Sequence, residues 1–337
     1  MSRSRYNIFI AMLVGWAVLL VGDFIQVQVA TDWGKHLRDF THVFQMTHEF
    51  WYGILNSSIV IVPGLTACLW TAKRYGSFSS NIGRAIISFT IGCILWGFGN
   101  IIWFYYNGCT LWGPLKCGAN TTLASPSFAD LGYLSILPFS AYGLYQLMQV
   151  ISIPRSALKL TGALLAVVTA LTLGLTRFSF GRYVLPNDTV MQNLTSVTYI
   201  IVDIVLLTMS VVLLVYSRRA AGGTFFAPMV GYCAGFVTLF VADMIFFPRV
   251  YFYSYPKRAP DGSVLHFLFQ PYYNGDLSDL LYGISIISIT LGTFLFARAE
   301  QKTLAQMREF EALMNAEVEL DAEPDTDSGE VPSGSPV

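Results

Sequence analysis

Five aspartates, Asp130, Asp203, Asp243, Asp276 and Asp279, stand inside or at the edges of stretches otherwise apolar enough to cross a bilayer. A carboxylate at mid-bilayer costs about 2.5 to 3.5 kcal/mol on insertion scales, so a chain that keeps several must turn them toward one another, a ligand or a water-filled cavity. The chemistry open to such groups is the binding of a small ligand or a proton. Two of the five also suit a plainer role: Asp130 and Asp276 follow Ser/Pro and Asn-Gly starts in the manner of N-terminal helix caps. Asp203 and Asp243 lie deeper in their apolar runs, where a cap explains them less well.

The elements that must position these groups follow from composition. With 54% apolar, 15% aromatic and only 12% charged residues, a water-soluble domain is excluded and a polytopic membrane protein is expected. A nucleic-acid partner is not expected; the bilayer is. Runs of about 20 apolar residues predict eight spans, near 8–28, 50–71, 84–106, 129–150, 158–177, 196–217, 225–247 and 278–297. The predicted fold class is therefore all-α, a membrane helix bundle occupying 1–298. Ten of the 21 acidic residues follow Arg298, which marks a separate, solvated segment.

Of the 20 Lys and Arg residues, twelve fall in alternate connections, in short clusters such as Lys73-Arg74 and Arg218-Arg219. The positive-inside tendency then puts both termini in the cytoplasm of a multi-pass cell-membrane protein. From 299 to 320, Leu304, Met307, Phe310 and Leu313 recur at helical spacing between charges and predict a cytoplasmic amphipathic helix. Residues 321–337, rich in acidic residues, Ser, Pro and Gly, are expected to be disordered.

The polar positions repeat. Asp130-Leu131-x-Tyr133 with Gly143 matches Asp279-Leu280-x-Tyr282 with Gly292 at an offset of 149. Asn100-x-x-Trp103 matches Asp243-x-x-Phe246 at 143, and Tyr52-x-x-x-Asn56 matches Tyr199-x-x-x-Asp203 at 147. Two repeats, 8–150 and 158–298, are predicted, each of four helices. An even number makes them enter the membrane in the same sense, related by an axis along its normal. Asn56, Asn100 and Asp130 from one half, with Asp203, Asp243 and Asp279 from the other, are then the candidate ligand-binding residues of a central polar seam.

These segments resemble a known module. Ser125-Pro126-Ser127-Phe128-Ala129-Asp130-Leu131-Gly132-Tyr133-Leu134, preceded by Trp103-Phe104-Tyr105-Tyr106, is similar to a pattern in the polytopic sensor modules found N-terminal to bacterial diguanylate cyclases and histidine kinases. Tyr199-x-x-x-Asp203-x-x-Leu206, Ala242-Asp243-x-x-Phe246 and Gly275-Asp276-Leu277-x-Asp279-Leu280-x-Tyr282 fit the same pattern, so the similarity runs from about Leu95 to Leu295. The resemblance implies ligand sensing and names no ligand or cofactor. The chain carries no Gly-Gly-Asp-Glu-Phe cyclase motif and no kinase phosphoacceptor block, so any output is expected from a cytoplasmic partner engaged through 299–320.

Two other function classes compete. Parallel repeats with polar groups at their interface also describe small-solute or proton-coupled transporters; Pro63-Gly64 interrupts the second span as such sites require, but the sixth span has no matching break. An intramembrane lipid-modifying enzyme needs a fixed array of His, Asp or Ser, and no span holds a histidine at depth, so no catalytic residue is assigned. His36, His42 and His48 recur every six residues, about 600° around a helix, and share no face, so no metal site is expected. Cys109 and Cys117 flank a short segment of an outside loop and are candidates for a disulfide in an oxidising exterior.

Overall fold

The computed structural model describes residues 3–34, 70–111, 126–153, 157–180, 190–218, 224–254 and 276–321. Residues 50–69 of the second predicted span, Asn56 and Cys117 lie outside these residues, as do His36, His42 and His48, and the side chain of Cys109 is likewise not described. All the regular structure among the described residues is helical: α1 (Arg3–Gly34), a 3-10 turn (Ser77–Ser79), α2 (Asn81–Leu111), α3 (Phe128–Leu134), α4 (Ile136–Ile151), α5 (Ala157–Phe180), α6 (Val190–Ser217), α7 (Phe226–Ser254) and α8 (Leu277–Asp321). Helices are what apolar runs of this length must form in hydrocarbon, because each backbone N–H and C=O is then satisfied within its own segment.

Among the described residues, six stretches are long and apolar enough to cross a membrane: 7–26, 81–103, 128–151, 190–217, 226–247 and 277–299. The protein is thus a multi-pass helical membrane protein. The predicted span at 158–177 corresponds to α5, whose apolar part among the described residues, 159–174, is shorter than a full crossing. The 128–151 stretch is divided at Ser135 into α3 and α4. Pro138 explains the division, since it has no N–H to offer the carbonyl of Leu134 four positions back. Ser135 stitches the break, its hydroxyl donating to the Gly132 carbonyl at 2.6 Å.

Two compact units divide the chain, 1–297 and 298–337. Within the first, α2 packs along α3 and α4, α4 against α6, and α6 along α7 and α5. Their shared core holds Phe89 and Trp96 of α2, Leu144 and Leu147 of α4, Leu206 and Leu213 of α6, Tyr232 and Phe236 of α7, and Ile286 and Ile289 of α8. Helix α1 joins α8 through Leu20 against Leu280 and through Phe9 stacked on Phe294, ring centroids 4.1 Å apart.

Where lipid replaces water, helices gain little from hiding apolar surface from one another, and close backbone approach takes over. Two glycine pairs provide it. A Cβ on Gly132 of α3 would lie 2.6 Å from the Cα of Gly99 on α2, and a Cβ on Gly231 of α7 would lie 2.6 Å from the Cα of Gly292 on α8. The second unit contains the 298–321 part of α8.

Candidate functional site

At the end of the bundle where α2 and α7 finish and α3, α6 and α8 begin, the polar side chains converge. Asp203 is the fourteenth of the 28 residues of α6, and Asp243 the eighteenth of the 29 of α7. Neither is near a helix start. They are 2% and 6% exposed.

Tyr282, one turn into α8, donates its hydroxyl to Oδ1 of Asp243. Asp203 lies beside Asp243, close enough for the two carboxyls to act on one another. Yet neither oxygen of Asp203 meets a donor. Both observations hold together because a carboxylate only accepts, so two of them bond only through a proton.

On the opposite flank, Tyr133 of α3 donates to Oδ1 of Asn100 on α2 at 2.8 Å. Asn100 is 6% exposed and its Nδ2 has no acceptor. Trp96 lies between the two tyrosines, 5.7 Å from the Tyr133 ring and 5.9 Å from that of Tyr282. Trp103 and Phe246 meet at 6.2 Å, and Phe246 touches Tyr282 at 6.0 Å. Aromatic rings therefore wall the polar groups on the side of α2 and α7.

Asp130 has two tasks. Its Oδ2 accepts from the backbone N–H of Ser127 at 2.6 Å, which caps the start of α3 as a capping box. Its Oδ1 accepts from the hydroxyl of Tyr199 on α6 at 2.9 Å, which ties the cap to the seam. Asp276 caps α8, its Oδ1 accepting from the backbone N–H groups of Ser278 at 2.7 Å and Asp279 at 3.3 Å and from the Ser278 hydroxyl. Asp279, 6% exposed in the first turn of α8, lies close enough to Tyr133 and Tyr282 to act on both electrostatically.

Four of the candidate acids, Asp130, Asp203, Asp243 and Asp279, thus gather with Asn100 around three tyrosines, while Asn56 lies outside the described residues. Tyr133, Tyr199 and Tyr282, and Trp96 between two of them, were absent from the residues first singled out for binding. The tyrosines had a signal: each follows an aspartate by three positions or precedes one by four. Helical spacing stacks such residues on one face. Trp96 had none.

No grouping of three or more His, Cys, Asp or Glu at metal-binding range occurs among the described residues. Cys93 and Cys233 are buried free thiols. Comparison of the chain with protein-family models, with curated proteins and with solved structures finds no match.

Proposed function

We propose that the protein is a membrane-embedded ligand-sensing module whose seam, walled by Trp96, Trp103 and Phe246, binds a small donor-rich or cationic ligand. The observation that carries this reading is Asp203: a carboxyl at the middle of a helix, with no donor for either oxygen, beside a second carboxyl. A buried acid left without a donor is costly unless something supplies one. Capping cannot account for it. The resemblance to sensor modules, and the helix predicted over 299–320 as the contact for a cytoplasmic partner, supply the signalling half of the proposal.

The reading includes two parallel four-helix repeats, eight spans in all, with both termini cytoplasmic. Its support is that positions related by the offset 143 meet across α2 and α7. Phe89 stacks on Tyr232 at 4.4 Å, and Trp103 meets Phe246 at 6.2 Å. Contacts between like positions at two levels support helices related in register about a common axis. The two tyrosine bonds repeat the relation, since Tyr133 to Asn100 and Tyr282 to Asp243 join matched positions in each half.

The test uses the full chain in lipid nanodiscs, with methylammonium as a donor-bearing cationic probe and sodium at equal ionic strength as reference. Methylammonium should raise the unfolding midpoint, and Asp203→Asn should remove the rise. An equal response in the variant defeats the proposal. Methylammonium accumulation driven by a gradient in proteoliposomes would replace sensing with transport.

A further inference from the structure

We propose that Asp203 and Asp243 share a single exchangeable proton, so that the inner end of the seam is a proton-binding site formed between α6 and α7. The inference rests on the seam being a ligand site and names the first ligand it takes. Its basis is the arrangement of donors. The pair offers four carboxyl oxygens, and the described donor directed at them is the Tyr282 hydroxyl, bound to Oδ1 of Asp243. Both oxygens of Asp203 remain without one.

Two ionised carboxylates at this spacing, away from water, repel one another, and one shared proton relieves them. The balance is simple. Water on one side of the membrane delivers a proton, one carboxylate becomes a carboxyl, and its new O–H donates to the neighbouring carboxylate. The pair goes from two negative charges to one, and an orphaned oxygen gains a partner. Tyr282 already donates to Oδ1 of Asp243 while both oxygens of Asp203 lack a donor, so the O–H is placed on Asp203, donating to Asp243.

Between the two carboxyls themselves, the surroundings favour a proton over a metal ion. Among the described residues, the titratable groups acting on the pair are Tyr199 from α6 and Tyr282 from α8, with Asp279 of α8 and Asp130 and Tyr133 of α3 one contact further out. None of these is a cation that would neutralise the second carboxylate. From α2, Asn100 is uncharged. The pair finds no third carboxylate, imidazole or thiolate at metal-binding range among the described residues, whereas a hard cation such as calcium takes about six or more oxygen ligands. A proton needs only the two.

Losing that proton would set two charges against each other at the contact of α6 with α7. The device is then a protonation-dependent grip between these two helices. It supplies a sensor with a change that its packing can register.

Infrared spectroscopy on the full chain in nanodiscs decides this, with aspartate labelled by carbon-13 at the side-chain carboxyl. The wild-type protein at neutral pH should show one protonated aspartate carbonyl band that moves on labelling. The band should vanish in Asp203→Asn and in Asp243→Asn, and persist in Asp23→Asn, Asp130→Asn, Asp276→Asn and Asp279→Asn. If one pair variant does not fold, loss of the band in the other still assigns the proton to the pair, and persistence there, or loss in any one of the four remaining variants, overturns the proposal. So does the absence of the band in the wild type. That absence together with a retained methylammonium response would discard the proton and keep the seam; absence of both would discard both.

Discussion

Phe89 of α2 and Tyr232 of α7 stack with ring centroids 4.4 Å apart and planes inclined by 25°. They stand 143 positions apart in the chain, the separation that also relates Asn100 to Asp243 and Trp103 to Phe246. Each ring is buried, 1% exposed in both cases. The contact lies at the heart of the core, and further toward the seam the same two helices meet again through Trp103 and Phe246.

A cross-linking prediction follows from the two levels. With the native cysteines changed to serine, Phe89→Cys paired with Tyr232→Cys, and Trp103→Cys paired with Phe246→Cys, should both join through a short thiol cross-linker within one chain. Electrophoresis after cleavage between the halves reads the product. Cross-linking at the first level but not at the second would mean that α2 and α7 cross steeply and share no register.

Glycine contacts give a stability prediction with an internal control. Gly132→Ala and Gly231→Ala place a methyl 2.6 Å from a backbone Cα on the facing helix, and a shift of packed helices of this kind costs about 1 to 3 kcal/mol. Gly162→Ala on α5 has nothing within 4 Å to meet and should change stability by no more than about 0.5 kcal/mol. Thermal unfolding in detergent compares the three. Equal effects at all three sites would refute close packing at the glycine pairs.

The two tyrosine bonds should differ in weight. Tyr133→Phe removes a donor from the amide oxygen of Asn100, a neutral acceptor, at a cost of about 1 kcal/mol. Tyr282→Phe removes the donor of a carboxyl and should cost more, about 1.5 to 3 kcal/mol, as bonds to charged groups do. A double-mutant cycle between Tyr282→Phe and Asp243→Asn should show coupling, whereas one between Tyr133→Phe and Asp243→Asn should be nearly additive. Coupling of the same size in both cycles would contradict the assigned partners.

Topology carries the last prediction. With both termini cytoplasmic, as proposed from the basic clusters at Lys73-Arg74 and Arg218-Arg219, an alkaline phosphatase fusion after Arg298 should be silent and a green fluorescent protein fusion bright. An active phosphatase there would overturn the cytoplasmic C-terminus, and with a second fusion showing Arg5 inside it would require an odd number of crossings and dismantle the parallel repeat.

Much of the architecture is a local property of the chain, which is why composition and spacing carried so far. A run of about 20 apolar residues has one good solution in a bilayer, a helix that closes its own hydrogen bonds, whatever its neighbours do. The caps at Asp130 and Asp276 are equally local: a carboxylate two or three residues from a free backbone N–H needs no tertiary partner. The break at Ser135 is local too, set by Pro138 within a stretch that still forms one crossing, 128–151.

What tertiary structure alone decided is which polar groups meet. An isolated helix is free to turn about its axis, and its sequence does not say which neighbour each face will find; close backbone contacts such as Gly99 against Gly132 and Gly231 against Gly292 set that rotation. Once set, Asp203 faces Asp243 rather than lipid, Tyr199 reaches Asp130 across to α3, and Trp96 separates Tyr133 from Tyr282. The composition required the buried acids to find partners, because hydrocarbon offers them none; only the packing of α6 against α7 made the partner of one acid another acid.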